Sequence, residues 1–238
     1  ESVYLYGRTV WTGTSQGTIT DGVVLIDNGR IVSVGPARAN MPAGEAFDWI
    51  TPGLISAFSR TGLSEVSGVD DTNDASAGSS PFSAALNAAD GFNPDATPIA
   101  ITRLEGFTRL AVAPEARGKL FGGQGFLADT SGLTGSVFRE QAFTFVVLGE
   151  GGASRAGGSR PAAWATLRGA FDDVRFFTSR FMTHNEGNVL TRLDAQALMP
   201  AVKGDQLIVF EASRASDLNA IMDFKEENMS LRIAIVGA

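Results

Sequence analysis

The chain has 238 residues, 44% hydrophobic and 19% charged, enough for one large domain or two modest ones with a real core. Its net charge of −7, without a concentrated run of Lys or Arg, excludes the basic face that nucleic acid or an anionic membrane requires, and no apolar run reaches the ~20 residues of a membrane-spanning helix. There is no cysteine and one histidine, His184, so disulfides, thiolate metal sites and Cys nucleophiles are out, and any metal site would be built mainly from carboxylates.

The first stretch, "VYLYGRTVW", is apolar, β-branched and aromatic, which predicts a strand. "GVVLIDNGRIVSVGP" predicts a hairpin, because Asp27-Asn28-Gly29 supplies positive-φ turn chemistry between two Val/Ile runs. "FDWITPGL" leads out of this part, with Pro52 confined to a strand edge or start. Residues 1–52 therefore read as a small β-rich domain and 53–238 as a second one.

Beyond Pro52 the pattern alternates. Strands are expected at "GLISAF", "FTRLAVAP", "AFTFVVLGE", "DQLIVFEAS" and "LRIAIVGA". Between them come helices. "PFSAALNAADGF" has Pro81 to start it and Gly91 to stop it. "SRPAAWATLRGAFDDVRFFTSRF" places Trp164, Leu167, Phe171, Val174 and Phe181 on one face. "LDAQALMPAVKG" is expected to end near Pro200, and "RASDLNAIMDFKEENM" to turn Leu218, Ile221 and Met222 inward. Strand–helix alternation implies βα units and a parallel sheet, with "IAIVG" buried on both faces. A parallel strand as last element leads us to expect a further segment to cover it.

The opening "LIDNGRIVSVGP", the strand lead-in "ITPGLISA" and "ASRASDLNAIMDF…LRIAIVGA" together resemble the amidohydrolase superfamily, in particular its imidazolonepropionase-like and dipeptidase-like members. The resemblance implies an α/β fold: a small β-rich composite domain followed by the first part of a TIM-type (β/α)8 barrel, incomplete in this chain. It also implies one or two metals activating water against amide, dipeptide or related C–N bonds. Carried over residue by residue, the first-strand His pair falls on Phe58 and Arg60, neither of which ligates a cation. The fifth-strand His falls near Glu211, and the later ligands have no counterpart. No metal or other cofactor is thus expected on this chain alone, while zinc or another divalent cation can be held by a partner chain.

Other residues carry weaker signals. Asp71 and Asp74, in "DDTND", gather charge just past the first barrel strand, but the spacing is not that of an EF-hand, and a solvated loop is the alternative. "GGQGFLA" has Gly-x-Gly-x-x-Ala spacing but lacks a following helix. Arg155 and Arg160, in "GEGGASRAGGSR", sit at a helix N-terminus where an anion would bind, against a flexible loop. His184 lies in a polar stretch with no nucleophile or metal partner nearby and reads as a loop residue. Glu211 ends an apolar strand where a barrel places its chemistry, or it pairs with Arg214.

Three functional readings follow: an amidohydrolase-type enzyme completed by a further segment or polypeptide, a metal-free subunit that shapes an active partner, and a binding protein using the barrel mouth. The first two imply a complementary segment or partner amidohydrolase subunit, in a homo- or hetero-oligomer. With Glu1 in place of Met, a periplasmic or secreted location is expected, otherwise a cytoplasmic one.

Overall fold

Asn28 and Gly29, both in the left-handed region (φ 49° and 74°), close a tight turn between two extended runs. In the computed structural model, which describes residues 2–65, 69–182 and 187–237, those runs belong to the first of two compact units, Glu1–Leu54 and Ile55–Ala238. The first unit holds β1 (Ser2–Trp11), β2 (Thr18–Asp27), β3 (Arg30–Pro36) and β4 (Glu45–Ile50), in the order β3-β2-β1-β4. The β1–β2 and β2–β3 pairs are antiparallel, while β4 joins β1 in parallel. "FDWI", expected as a connection, is thus part of a sheet edge. Val10, Ile19 and Val24 form the small core of this unit, with Leu5, Ile26, Val34 and Ile50 packed against it.

The second unit is built on a six-stranded sheet, order β10-β9-β8-β7-β6-β5. Its strands are β5 (Leu54–Ser59), β6 (Phe107–Val112), β7 (Phe121–Asp129), β8 (Val137–Val147), β9 (Leu207–Glu211) and β10 (Arg232–Val236). The helices are α1 (Thr97–Leu104), α2 (Gly149–Arg155), α3 (Arg160–Arg175), α4 (Phe177–Phe181), α5 (Arg192–Lys203) and α6 (Ala215–Glu227). β8, β9 and β10 run parallel through helical crossovers, as alternation predicts. The wholly parallel sheet does not hold, because β7 is antiparallel to both β6 and β8. "FGGQGFLAD" is itself a strand, its glycines having masked the β pattern, and Ser131–Ser136 turn it back into β8. No helix among the described residues is long and apolar enough to cross a membrane.

Several local expectations are corrected by tertiary partners. "PFSAALNAADGF" makes only one 3-10 turn, Ala88–Gly91. Its Ser83 and Ala85 amides donate to the buried Asp194 carboxylate, each at 2.8 Å, in place of helical bonds. The long helix breaks at Phe176 into α3 and α4. α5 continues past Pro200, forgoing one amide bond, to a cap at Gly204 in the left-handed region (φ 89°). On α6, Met222 is 48% exposed, and Phe224, one turn from Ile221, takes the buried place. β10 has one sheet neighbour, and its residues are half-buried or exposed rather than enclosed on both faces.

The sheet carries apolar residues on both faces. Val146, Ile208 and Phe210 pack under α3, α5 and α6 through Leu167, Phe171, Leu198, Ile221 and Phe224. On the opposite face lie Phe143, Phe145, Val147 and Val209, with Phe58, Leu207, Ala234 and Val236 against them. Phe58 on β5 and Phe145 on β8 are three places apart in the strand order, yet their ring centroids are 5.4 Å apart. A flat sheet would hold them roughly 14 Å apart at about 4.8 Å per strand. The sheet therefore curls, and this face is its concave side, in the manner of an incomplete barrel.

Candidate functional site

The strand ends meet on the concave side. Ser59 closes β5, and its carbonyl accepts from the Ala113 amide just past β6 at 2.8 Å, so those two ends lie together. In the parallel set, Val147 aligns with Glu211, and Glu211 with Val236. These ends border a cleft of about 330 Å³ whose walls include Phe58, Leu148, Glu150, Glu211, Ser213 and Val236. Two of these residues, Phe58 and Glu211, are ones the sequence singles out, and the fold brings them together.

Glu211 owes its position to strand alternation. Leu207 and Val209 point to the concave apolar face, and Glu211 continues that row, while Ile208 and Phe210 face the helices. Its backbone is anchored, the carbonyl accepting from the Leu148 amide at 2.9 Å. Among the described residues its carboxylate has no hydrogen-bond or ion-pair partner. The alternative, pairing with Arg214, is not formed; Arg214 stands at the start of α6, where its carbonyl accepts from the Asp217 and Leu218 amides at 2.8 and 3.0 Å.

Phe58 and Arg60 form one assembly. The Arg60 guanidinium lies 5.4 Å from the centroid of the Phe58 ring and 5.9 Å from that of Phe145. Phe145 is fully buried. Aromatic rings and a guanidinium occupy the positions where the resemblance would place two imidazoles. No group of three or more His, Cys, Asp or Glu among the described residues is placed to hold a metal ion. Phe58 and Arg60 offer none of the nitrogen, thiolate or carboxylate ligands that a zinc centre takes.

The remaining candidates lie apart from this cleft or are engaged. Gly149–Arg155 is helix α2 rather than a flexible loop. Arg155 donates to the Ala116 carbonyl at 2.9 Å and to the Gly151 carbonyl at 2.8 Å. Arg160 forms a bidentate pair with the buried Asp217 carboxylate at 2.7 and 3.1 Å, and that hydrogen bonding holds its guanidinium above its ordinary pKa, with the charges of Asp217 and Glu150 adding to the effect. This pair ties the start of α3 to the start of α6. Asp74 borders a separate cavity of about 290 Å³ with Asn87, Asp90 and Pro114, and Asp71 is exposed in a 3-10 turn. His184 lies outside the described residues.

Sequence reasoning missed the ring stack, because Phe145 is 87 residues from Phe58 and only the curl joins them. It also missed Asp194, although Thr191-x-x-Asp194 is a readable variant of the capping box: the Thr191 hydroxyl accepts from the Asp194 amide at 3.1 Å and donates to its carboxylate at 2.8 Å.

No protein-family model matches the chain, and no curated protein does. Among solved structures it is similar to an amidohydrolase from Thermotoga maritima, with a TM-score of 0.77 and 22% identity, over 98% of this chain and 63% of that one. That likeness establishes a shared fold, and this chain spans 63% of that protein's length. An N-acetyl-D-glucosamine-6-phosphate deacetylase from Mycobacterium smegmatis aligns over 99% of this chain and 49% of its own, at 17% identity and a TM-score of 0.36, too low to support an argument.

Proposed function

We propose that this chain is an amidohydrolase-type polypeptide, of a superfamily that hydrolyses amide, dipeptide and related C–N bonds, and that its own part is to supply a metal-free wall of the barrel mouth rather than the metal centre. The observation that carries this is the Arg60 guanidinium over Phe58 and Phe145, at the strand ends where metal ligands are expected. At these two positions a metal ion would meet a guanidinium and apolar rings rather than ligating atoms.

Completion of the mouth falls to a complementary segment or a partner amidohydrolase subunit, in a homo- or hetero-oligomer. Two features support this. Among the described residues β5 and β10 each have one sheet neighbour, which leaves rows of backbone N–H and C=O groups without strand partners there. Ile55, on β5, is also 68% exposed. Any zinc or other divalent cation would then rest on ligands from that other segment. A second reading, a non-catalytic binding or structural subunit, is favoured by Glu211, without a partner among the described residues, in a cleft that also presents Phe58, Leu148 and Val236.

Hydrolysis tests the proposal. The purified chain, supplied with zinc, is assayed against N-acyl amino acids and dipeptides. No turnover above buffer is expected from this chain alone; chelator-sensitive turnover by it alone would overturn the reading.

A further inference from the structure

We propose that the cleft at the strand ends binds a small organic cation, a primary ammonium group on an apolar body, with Glu211 receiving the ammonium. This rests on the metal-free reading of the same mouth.

The cleft of about 330 Å³ is at the lower end of the volumes used for small ligands, roughly 300–1,000 Å³. Phe58, Leu148 and Val236 give it an apolar wall. Glu211 interrupts it from within the apolar row of its own strand. It is partly buried, continues an apolar row, and among the described residues has no charge or donor to offset its loss of water. A carboxylate held in this way is either a standing cost to the fold or one half of a recognition pair.

The surrounding charges favour a cationic ligand over an anionic one. Glu150, also lining the cleft, adds a second carboxylate, while its neighbour Arg160 is already bound by Asp217. Arg60 is stacked on the Phe58 and Phe145 rings and is not among the residues lining the cleft. An ammonium group gains a charge-assisted hydrogen bond at Glu211, the Ser213 hydroxyl is available as a further acceptor, and an aryl or alkyl body covers Phe58 and Val236. A neutral analogue keeps only the second contribution. An anion meets two carboxylates.

The experiment is isothermal titration calorimetry on the full chain, in buffer containing a chelator, with 2-phenylethylammonium, 2-phenylethanol and phenylacetate. The ammonium is expected to bind with a Kd on the order of 0.1–1 mM, at least tenfold tighter than the alcohol, and phenylacetate not to bind. Glu211→Gln, close in shape, is expected to lose at least tenfold for the ammonium and nothing for the alcohol, with a ligand-free thermal melt no lower than that of the unsubstituted chain. Glu211→Asp, which keeps the charge, retains part of the preference. Equal binding of ammonium and alcohol, no saturable binding, or an unaffected Glu211→Gln variant overturns the proposal. Zinc content is measured on the same samples: zinc retained at one per chain contradicts the metal-free reading, whereas zinc-free protein that ignores the amine contradicts this inference alone.

Discussion

Replacing Phe58 and Phe145 by alanine, singly and together, tests whether the sheet curls as described. Phe145 is fully buried, so Phe145→Ala, which keeps Cβ, removes roughly 120 Å² of buried apolar surface. At about 25 cal/mol per Å², with the cavity left behind, the loss is about 3–5 kcal/mol. Phe58 is half-buried, and by the same arithmetic Phe58→Ala costs about 2 kcal/mol. The decisive quantity is the coupling between them. Ring centroids 5.4 Å apart, with Arg60 over both rings, predict about 0.5–1.5 kcal/mol of non-additivity. Side chains about 14 Å apart on a flat sheet would show none. Urea unfolding followed by far-ultraviolet circular dichroism gives each free energy, on the condition that the m-value holds constant across the four proteins. Additivity within about 0.3 kcal/mol would refute the curl and, with it, the shared mouth.

Asp194→Ala strips the buried acceptor from the Ser83 and Ala85 amides and from the Thr191 hydroxyl, and is expected to cost about 3–5 kcal/mol in the same unfolding assay; a cost below about 1 kcal/mol would contradict its role as the anchor of residues 83–85. Gly204→Ala places a side chain at φ 89° with its Cβ against the Ser230 carbonyl oxygen, so a loss of about 2–3 kcal/mol or more is expected, read as a lower melting temperature. At Asp129, burial pushes the pKa up, but hydrogen bonds from Ser131 and Ser136 and the charge of Arg109 outweigh it, leaving the group below its ordinary value. Its stabilising contribution is therefore present above the ordinary carboxylate range and lost as pH falls through the lowered value, so the stability gap between wild type and Asp129→Asn should close in acid; a gap that widens there would contradict this sign. Sedimentation velocity at about 10 μM should show the isolated chain self-associating through its open strand edges, and a cooperatively melting monomer would refute the need for a partner.

What was legible in the sequence was whatever rests on local pattern. The turn at Asn28–Gly29 and the parallel run of β8, β9 and β10 follow from positive-φ chemistry and from strand–helix alternation. The antiparallel β7 was not legible, because glycines at 122, 123 and 125 dilute its alternation and Gly-x-Gly spacing suggests a loop. The helix expected at residues 81–92 fails because its amides find Asp194, more than a hundred residues away, a partner that no local rule supplies. At the candidate site, Phe58 and Glu211 were both visible as single residues at strand ends. Their sharing of one cleft depends on the curl of six strands, which a reading of separate segments does not contain.

The central claim, that this chain's part of the mouth holds no metal, is tested most directly by equilibrium dialysis of the purified chain against zinc, followed by elemental analysis. Well under one zinc per chain is expected to remain, with no change on Glu211→Gln. One tightly held zinc per chain, lost in the Glu211→Gln variant, would contradict the account.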